Sequence, residues 1–171
     1  EFVKKNGEFT VNIALIENGR ATFGVIYAPV LQTMWWGDEV QGAYVQQGSE
    51  VKKISVDKSR RSSLRVAASR SHLDATTSAA LARMGEVEPL SMGSSLKFCR
   101  IAEGALDVYP RFAPTSEWDT AAGQAILEAA GGVVLNLDGS PFRYNTKDSL
   151  LNPHFIALAN SDLPWRSWLH D

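Results

Sequence analysis

The sequence predicts a layered α/β fold whose N-terminal part is an incomplete antiparallel meander, and three observations carry that expectation. Residues 8–56 are a series of short β-branched and aromatic runs broken by turn signals, with no helical period among them. After the polar stretch Lys58-Ser59-Arg60-Arg61-Ser62-Ser63 the pattern changes to strands alternating with helices. Beyond residue 115 comes a helix of small residues, with Ala121, Ala122, Ala125, Ile126, Ala129 and Ala130 at helical spacing. Gly131 stands where a C-terminal cap wants a positive φ. The change of pattern divides the chain into residues 1–57, the remainder of an N-terminal sheet domain, and residues 64–171, a C-terminal α/β domain.

In order, residues 10–15 and 21–28 flank Glu17-Asn18-Gly19-Arg20, and Asn-Gly between such runs is the strongest short hairpin signal. Residues 33–36, 42–46 and 51–56 continue the meander. Such a sheet exposes a face unless something covers it, and no helix in this first third is available to do so. The expectation is that part of the layer is missing or comes from another chain. In the second part, residues 64–68, 88–92, 108–112, 133–137 and 155–159 read as strands, and residues 74–84 and 95–106 as helices. Asp138-Gly139-Ser140-Pro141 is a turn by composition.

At 171 residues, with 44% hydrophobic and 21% charged residues, the chain has the composition of a packed domain. Seventeen basic against nineteen acidic residues leave a net charge of −2. That balance argues against a nucleic-acid polymer or a general membrane surface, and favours a small anionic ligand held by a local cluster. The one cysteine, Cys99, excludes an internal disulfide and suits a reducing compartment. No run reads as a membrane span or signal peptide. The expected compartment is the cytoplasm, at most in contact with the inner face of its membrane; oligomeric state is left open.

Asp119 falls in the first turn of the small-residue helix, beside amides that lack an intrahelical partner. A plain helix cap is the simpler role for such an aspartate. A hard Mg²⁺ ion, however, takes carboxylate oxygen, and a helix N-terminus favours phosphate.

Trp118-Asp119-Thr120-Ala121-Ala122-Gly123, followed by Glu128-Ala129-Ala130-Gly131-Gly132, resembles the second motif of the inositol monophosphatase superfamily of Mg²⁺-dependent phosphatases. Further stretches resemble one branch, the 3'(2'),5'-bisphosphate nucleotidases of the CysQ type. They are Ser69-Arg70-Ser71-His72, the run from Gly93-Ser94-Ser95-Leu96-Lys97 to Gly104, the run from Asp107 through Tyr109-Pro110-Arg111 to Pro114, and Ser149-Leu150-Leu151-Asn152-Pro153. The opening residues 1–15 are similar to the segment after the family's first metal motif, so the likeness runs from end to end.

The resemblance implies the layered sandwich of the inositol monophosphatase and fructose bisphosphatase type, and hydrolysis of the 3'-phosphate of adenosine 3',5'-bisphosphate, and of its phosphosulfate form, in sulfate assimilation. It implies Asp119 as a Mg²⁺ ligand, and His72, Ser94, Lys97, Arg111 and Asp119 as contacts to the nucleotide and its phosphates. Each has a simpler role: a loop histidine for His72, a helix cap for Ser94, a solvated lysine for Lys97, and for Arg111 an ion pair with Glu117 or Asp107. The upstream Glu-Glu pair and Asp-Pro-(Leu/Ile)-Asp-Gly-Thr motif of the family occur nowhere in this sequence. One carboxylate cannot organise a two-metal site, so no catalytic residue is assigned with certainty and the chain alone is expected to be inactive. Because it begins with Glu1, the expectation is that it starts partway through a longer protein. Two alternatives stay open: a sister phosphatase acting on inositol or fructose phosphates, which Gly93 to Lys97 and Tyr109-Pro110-Arg111 weigh against, and a non-catalytic remnant binding nucleotide or a partner through its sheet.

Overall fold

In the computed structural model, which describes residues 7–68, 75–93 and 95–169, Asn18 and Gly19 take φ of 51° and 77°. This is the primed turn that Asn-Gly predicts, and it joins β1 (Val11–Glu17) to β2 (Arg20–Ala28), paired from Glu17 opposite Arg20 to Val11 opposite Tyr27 with a shift of register between Leu15 and Ile16. β3 (Thr33–Asp38), β4 (Gly42–Gln47) and β5 (Glu50–Ile54) follow, each antiparallel to the strand before it.

The remaining elements alternate as expected: β6 (Leu64–Ala68), α1 (Ala75–Arg83), β7 (Val87–Ser91), α2 (Leu96–Ala102), β8 (Val108–Arg111), α3 (Glu117–Ala129), β9 (Val133–Asn136), β10 (Phe155–Leu158) and a 3₁₀ turn at Trp165–Trp168. The second sheet has the order β7-β6-β8-β10-β9. β6 runs parallel to β7 and β8, and β10 antiparallel to β8 and β9.

Alternate residues of the second sheet enter two cores, as a period of two requires. Tyr109, Phe155 and Ala157 face α2 and α3 and share a core with Ile26, Trp35 and Ala43 of the first sheet. Val66, Val108, Ile156 and Leu158 face the other way, onto Ala80 and Met84 beside α1 and onto Trp165 and Trp168. The order of layers is thus sheet, α2 with α3, sheet, α1 with the 3₁₀ turn.

The expectation that the cover of the meander is missing or comes from another chain is corrected for one face. The cover is α3, a hundred residues downstream in sequence, and its small side chains are what let it in. A β-carbon on Gly24 of β2 would collide with the Ala122 backbone, and one on Gly123 would enter the Phe98 ring of α2. Trp35, Trp165 and Trp168 are buried in these cores. Cys99 is buried in α2, and burial pushes its thiol pKa up, which fits inert packing.

Candidate functional site

β8 delivers Tyr109 and Arg111 to the segment that opens α3, and α2 crosses α3 with Lys97 in its first turn. These elements meet around Tyr109. The Lys97 ammonium lies 5.0 Å from the Tyr109 ring centroid, a cation–π contact, and Lys97 is only 6% exposed. Burial raises the Tyr109 hydroxyl pKa to about 12, with Arg111 pulling it down and Asp119 pushing it up. Both charges are therefore felt at one buried phenol. Phe98 and Phe155 hold the ring edge-on, each at 5.4 Å between centroids.

Of the five residues singled out by sequence, Lys97 lies on Tyr109, Arg111 follows two residues later on β8, and Asp119 lies in the first turn of α3. His72 and Ser94 lie outside the described residues. Lys97 is not a solvated lysine. Arg111 does not pair with Glu117 or Asp107; it donates from Nε to the Ala113 carbonyl at 3.1 Å and from Nη2 to the Pro114 carbonyl at 3.2 Å. Asp107 belongs instead to Arg65, whose Nη2 reaches Oδ1 at 2.6 Å. Arg111 thus braces the loop before α3 and sits at the edge of the site, half-buried.

Asp119 is exposed, and its Oδ2 accepts the backbone N–H of Ser116, the N-cap of α3, at 2.8 Å. One oxygen thus serves the helix, while Oδ1 accepts no hydrogen bond among the described residues. Magnesium asks for near-octahedral oxygen coordination, and among the described residues no cluster of three or more His, Cys, Asp or Glu could hold a metal ion. Asp119 has the right donor chemistry for one ligand position, yet the described residues do not fit a Mg²⁺ centre by themselves.

Two residues to which sequence reasoning assigned no role at the site hold the mouth of α3 in place. Glu117 is buried; its Oε1 accepts Lys147 Nζ at 2.7 Å and its Oε2 the Asn145 amide at 3.0 Å. Asn152 donates from Nδ2 to the Ser116 carbonyl at 2.8 Å and to Thr115 Oγ1 and Thr120 Oγ1, both at 3.0 Å. An acid in a first helical turn is a readable signal, but its burial and its partner thirty residues away are not. Trp118, the first residue of the Trp-Asp motif, is 62% exposed. It lines a cleft of about 240 Å³ with Asn12, Glu117 and Asn145.

Among the described residues no helix is long and apolar enough to cross a membrane. The inositol monophosphatase family model matches residues 1–163. Two curated relatives are the 3'(2'),5'-bisphosphate nucleotidases CysQ of Shigella flexneri, 47% identical, and of Escherichia coli K12, 48% identical. Each match covers 91% of this chain and 62% of the relative, so the chain spans less than two thirds of these proteins. The crystal structure of CysQ from Bacteroides thetaiotaomicron, a bacterial member of the inositol monophosphatase family, superposes with a TM-score of 0.85 at 44% identity, covering 92% of this chain and 65% of that one. The fold therefore follows the sandwich that the motifs implied, and the chain belongs to the inositol monophosphatase family.

Proposed function

We propose that the protein is a 3'(2'),5'-bisphosphate nucleotidase of cytoplasmic type that hydrolyses adenosine 3',5'-bisphosphate to AMP and inorganic phosphate. Water adds at the 3'-phosphorus, the P–O bond to the ribose breaks, and a proton passes to the departing 3'-oxygen. The observation that carries this reading is the burial of Lys97 against Tyr109, two residues before Arg111 on β8, in a chain 47% identical to a protein named for that activity. Lys97 and Arg111 offer positive charge to phosphate oxygens. His72 and Ser94 are proposed as further contacts to the nucleotide.

The family is metal-dependent, and Mg²⁺ is the cation proposed here. Asp119 would supply one carboxylate oxygen, and the other ligands are proposed to lie in the additional length that the relatives possess. Assayed as the 171-residue chain, ligand binding rather than turnover is therefore expected. Calorimetric titration with adenosine 3',5'-bisphosphate, inositol 1-phosphate and fructose 1,6-bisphosphate is the test. Preference for the nucleotide supports the reading, and preference for either sugar phosphate replaces it with a sister phosphatase. Substituting Lys97→Met should weaken nucleotide binding at least about 10-fold, as expected when a phosphate loses a charge-assisted partner.

A second reading, a binding remnant without catalysis, is favoured by one observation. Val11, Ile13 and Leu15 are 51%, 63% and 52% exposed in a row on β1. Binding of none of the three phosphates would leave that reading standing.

A further inference from the structure

Two stretches of chain 85 residues apart are fastened side by side. The Gly93 amide donates to Glu8 Oε2 at 2.7 Å, Thr10 Oγ1 lies 2.8 Å from Ser95 Oγ, and Ser95 Oγ donates to Asn12 Oδ1 at 2.8 Å. Glu8, Thr10 and Asn12 are every second residue on the way into β1, so an extended chain sends all three to one side. Their partners, Gly93 and Ser95, bracket Ser94.

The direction of the chain is set by chemistry. An amide carbonyl oxygen only accepts, so the Ser95 hydroxyl spends its one proton on Asn12 and must take its other bond from Thr10. Ser95 is also the N-cap of α2, where a serine ordinarily turns its hydroxyl onto its own helix. Here it makes no such bond. It is 4% exposed and faces the strand instead. Asn12 in turn lines the cleft at the mouth of α3 with Glu117 and Trp118. One edge strand thus touches the beginnings of both helices that meet at Tyr109.

We propose that Thr10, Ser95 and Asn12 are positioning residues that hold the start of α2 against the strand, so that Lys97 in its first turn meets a phosphate at a fixed distance from the α3 mouth. This rests on the nucleotidase reading above. The three side chains touch no substrate themselves; they set where the phosphate contacts stand. Hydrogen bonds that polarise one another in a partly buried chain are worth more together than singly, so breaking any link should loosen the start of α2 as a whole.

The test is equilibrium binding of AMP, inorganic phosphate and phosphate-free adenosine to the 171-residue chain. Ser95→Ala should weaken AMP and phosphate about 5- to 10-fold and leave adenosine within about 2-fold, the scale of one lost hydrogen bond. Ser95→Thr, which keeps the hydroxyl, should restore phosphate affinity. Should Ser95→Ala not fold, Thr10→Val removes the donor from the strand side, and Thr10→Ser returns it. A Ser95→Ala protein that binds AMP like the wild type overturns the positioning role. So does one that loses adenosine and AMP equally, the mark of general loosening. A wild-type chain with no affinity for AMP or phosphate overturns the nucleotidase reading itself, and this inference with it.

Discussion

Among the described residues the two sheets contain five strands each but differ in how many faces they bury. β10, Phe155-Ile156-Ala157-Leu158, is fully buried along its length, with alternate residues entering cores on opposite sides. β1, Val11-Asn12-Ile13-Ala14-Leu15-Ile16-Glu17, alternates between exposed and half-buried, and the exposed positions are Val11, Ile13 and Leu15, all large and apolar, together with Glu17 at its end. A strand covered on both sides reads as a continuous apolar run and a one-sided strand as alternation with polar residues outward. β1 has the apolar content of the first kind and the cover of the second. Apolar content therefore reports what a strand can bury, and only packing reports what it does bury. A contiguous apolar row in solvent marks a surface suited to contact.

Truncation should separate the sheets most sharply. Phe155→Ala empties a site in which the ring stacks among Phe98, Tyr109 and Phe142, and about 3–5 kcal/mol of stability should go with it. Gly24→Ala comes next. Its new methyl meets the carbonyl and α-carbon of Ala122, backbone that cannot rotate away, so the one covered face of the first sheet must part from α3 at about 1–3 kcal/mol. Ile13→Ala, on the open face, should cost below about 1 kcal/mol because so little of the side chain leaves water on folding. Urea unfolding midpoints at constant slope measure all three. An Ile13→Ala loss equal to that of Phe155→Ala would show that the outer face is covered in solution.

The same contrast marks what could be read from sequence. The Asn18-Gly19 hairpin, the alternation after residue 63 and the small-residue helix were all legible, because each is a local rule of backbone conformation or period. The cover of the meander was not, because α3 reaches β2 through a contact between Gly24 and Ala122, and no local pattern links positions so far apart. At the site, Asp119 was legible as a first-turn carboxylate, and the resemblance singled out Lys97 and Arg111. That Lys97 is buried against Tyr109, and that Arg111 grips the Ala113 and Pro114 carbonyls, depends on tertiary placement. Asn152 was read only as part of a motif, and its brace on α3 emerges only when residues 145–152 are seen wrapped around the helix start.

The smallest expected effect probes the layer between the sheets. Glu128 sits half-buried near the end of α3. Burial pushes its pKa above the usual 4.5, partly offset by the Gln124 side chain, by Arg20 of the first sheet, by the Val134 backbone of the second and by Arg143. A carboxyl with a raised folded-state pKa is favoured in its protonated form. Its contribution to stability is fully present below the unfolded value and fades as pH climbs through 4.5 and then through the folded value. Glu128→Gln keeps an acceptor for Gln124 Nε2, now bonded at 2.8 Å, and cannot ionise. The variant should therefore match the wild type at about pH 4 and be slightly more stable at about pH 7, where the wild type carries a partly desolvated charge. Melting temperatures across that range measure the difference. A variant less stable than the wild type at neutral pH would mean that attraction to Arg20 and Arg143 outweighs burial, and that the middle layer is tied to the one-sided sheet by charge as well as by packing.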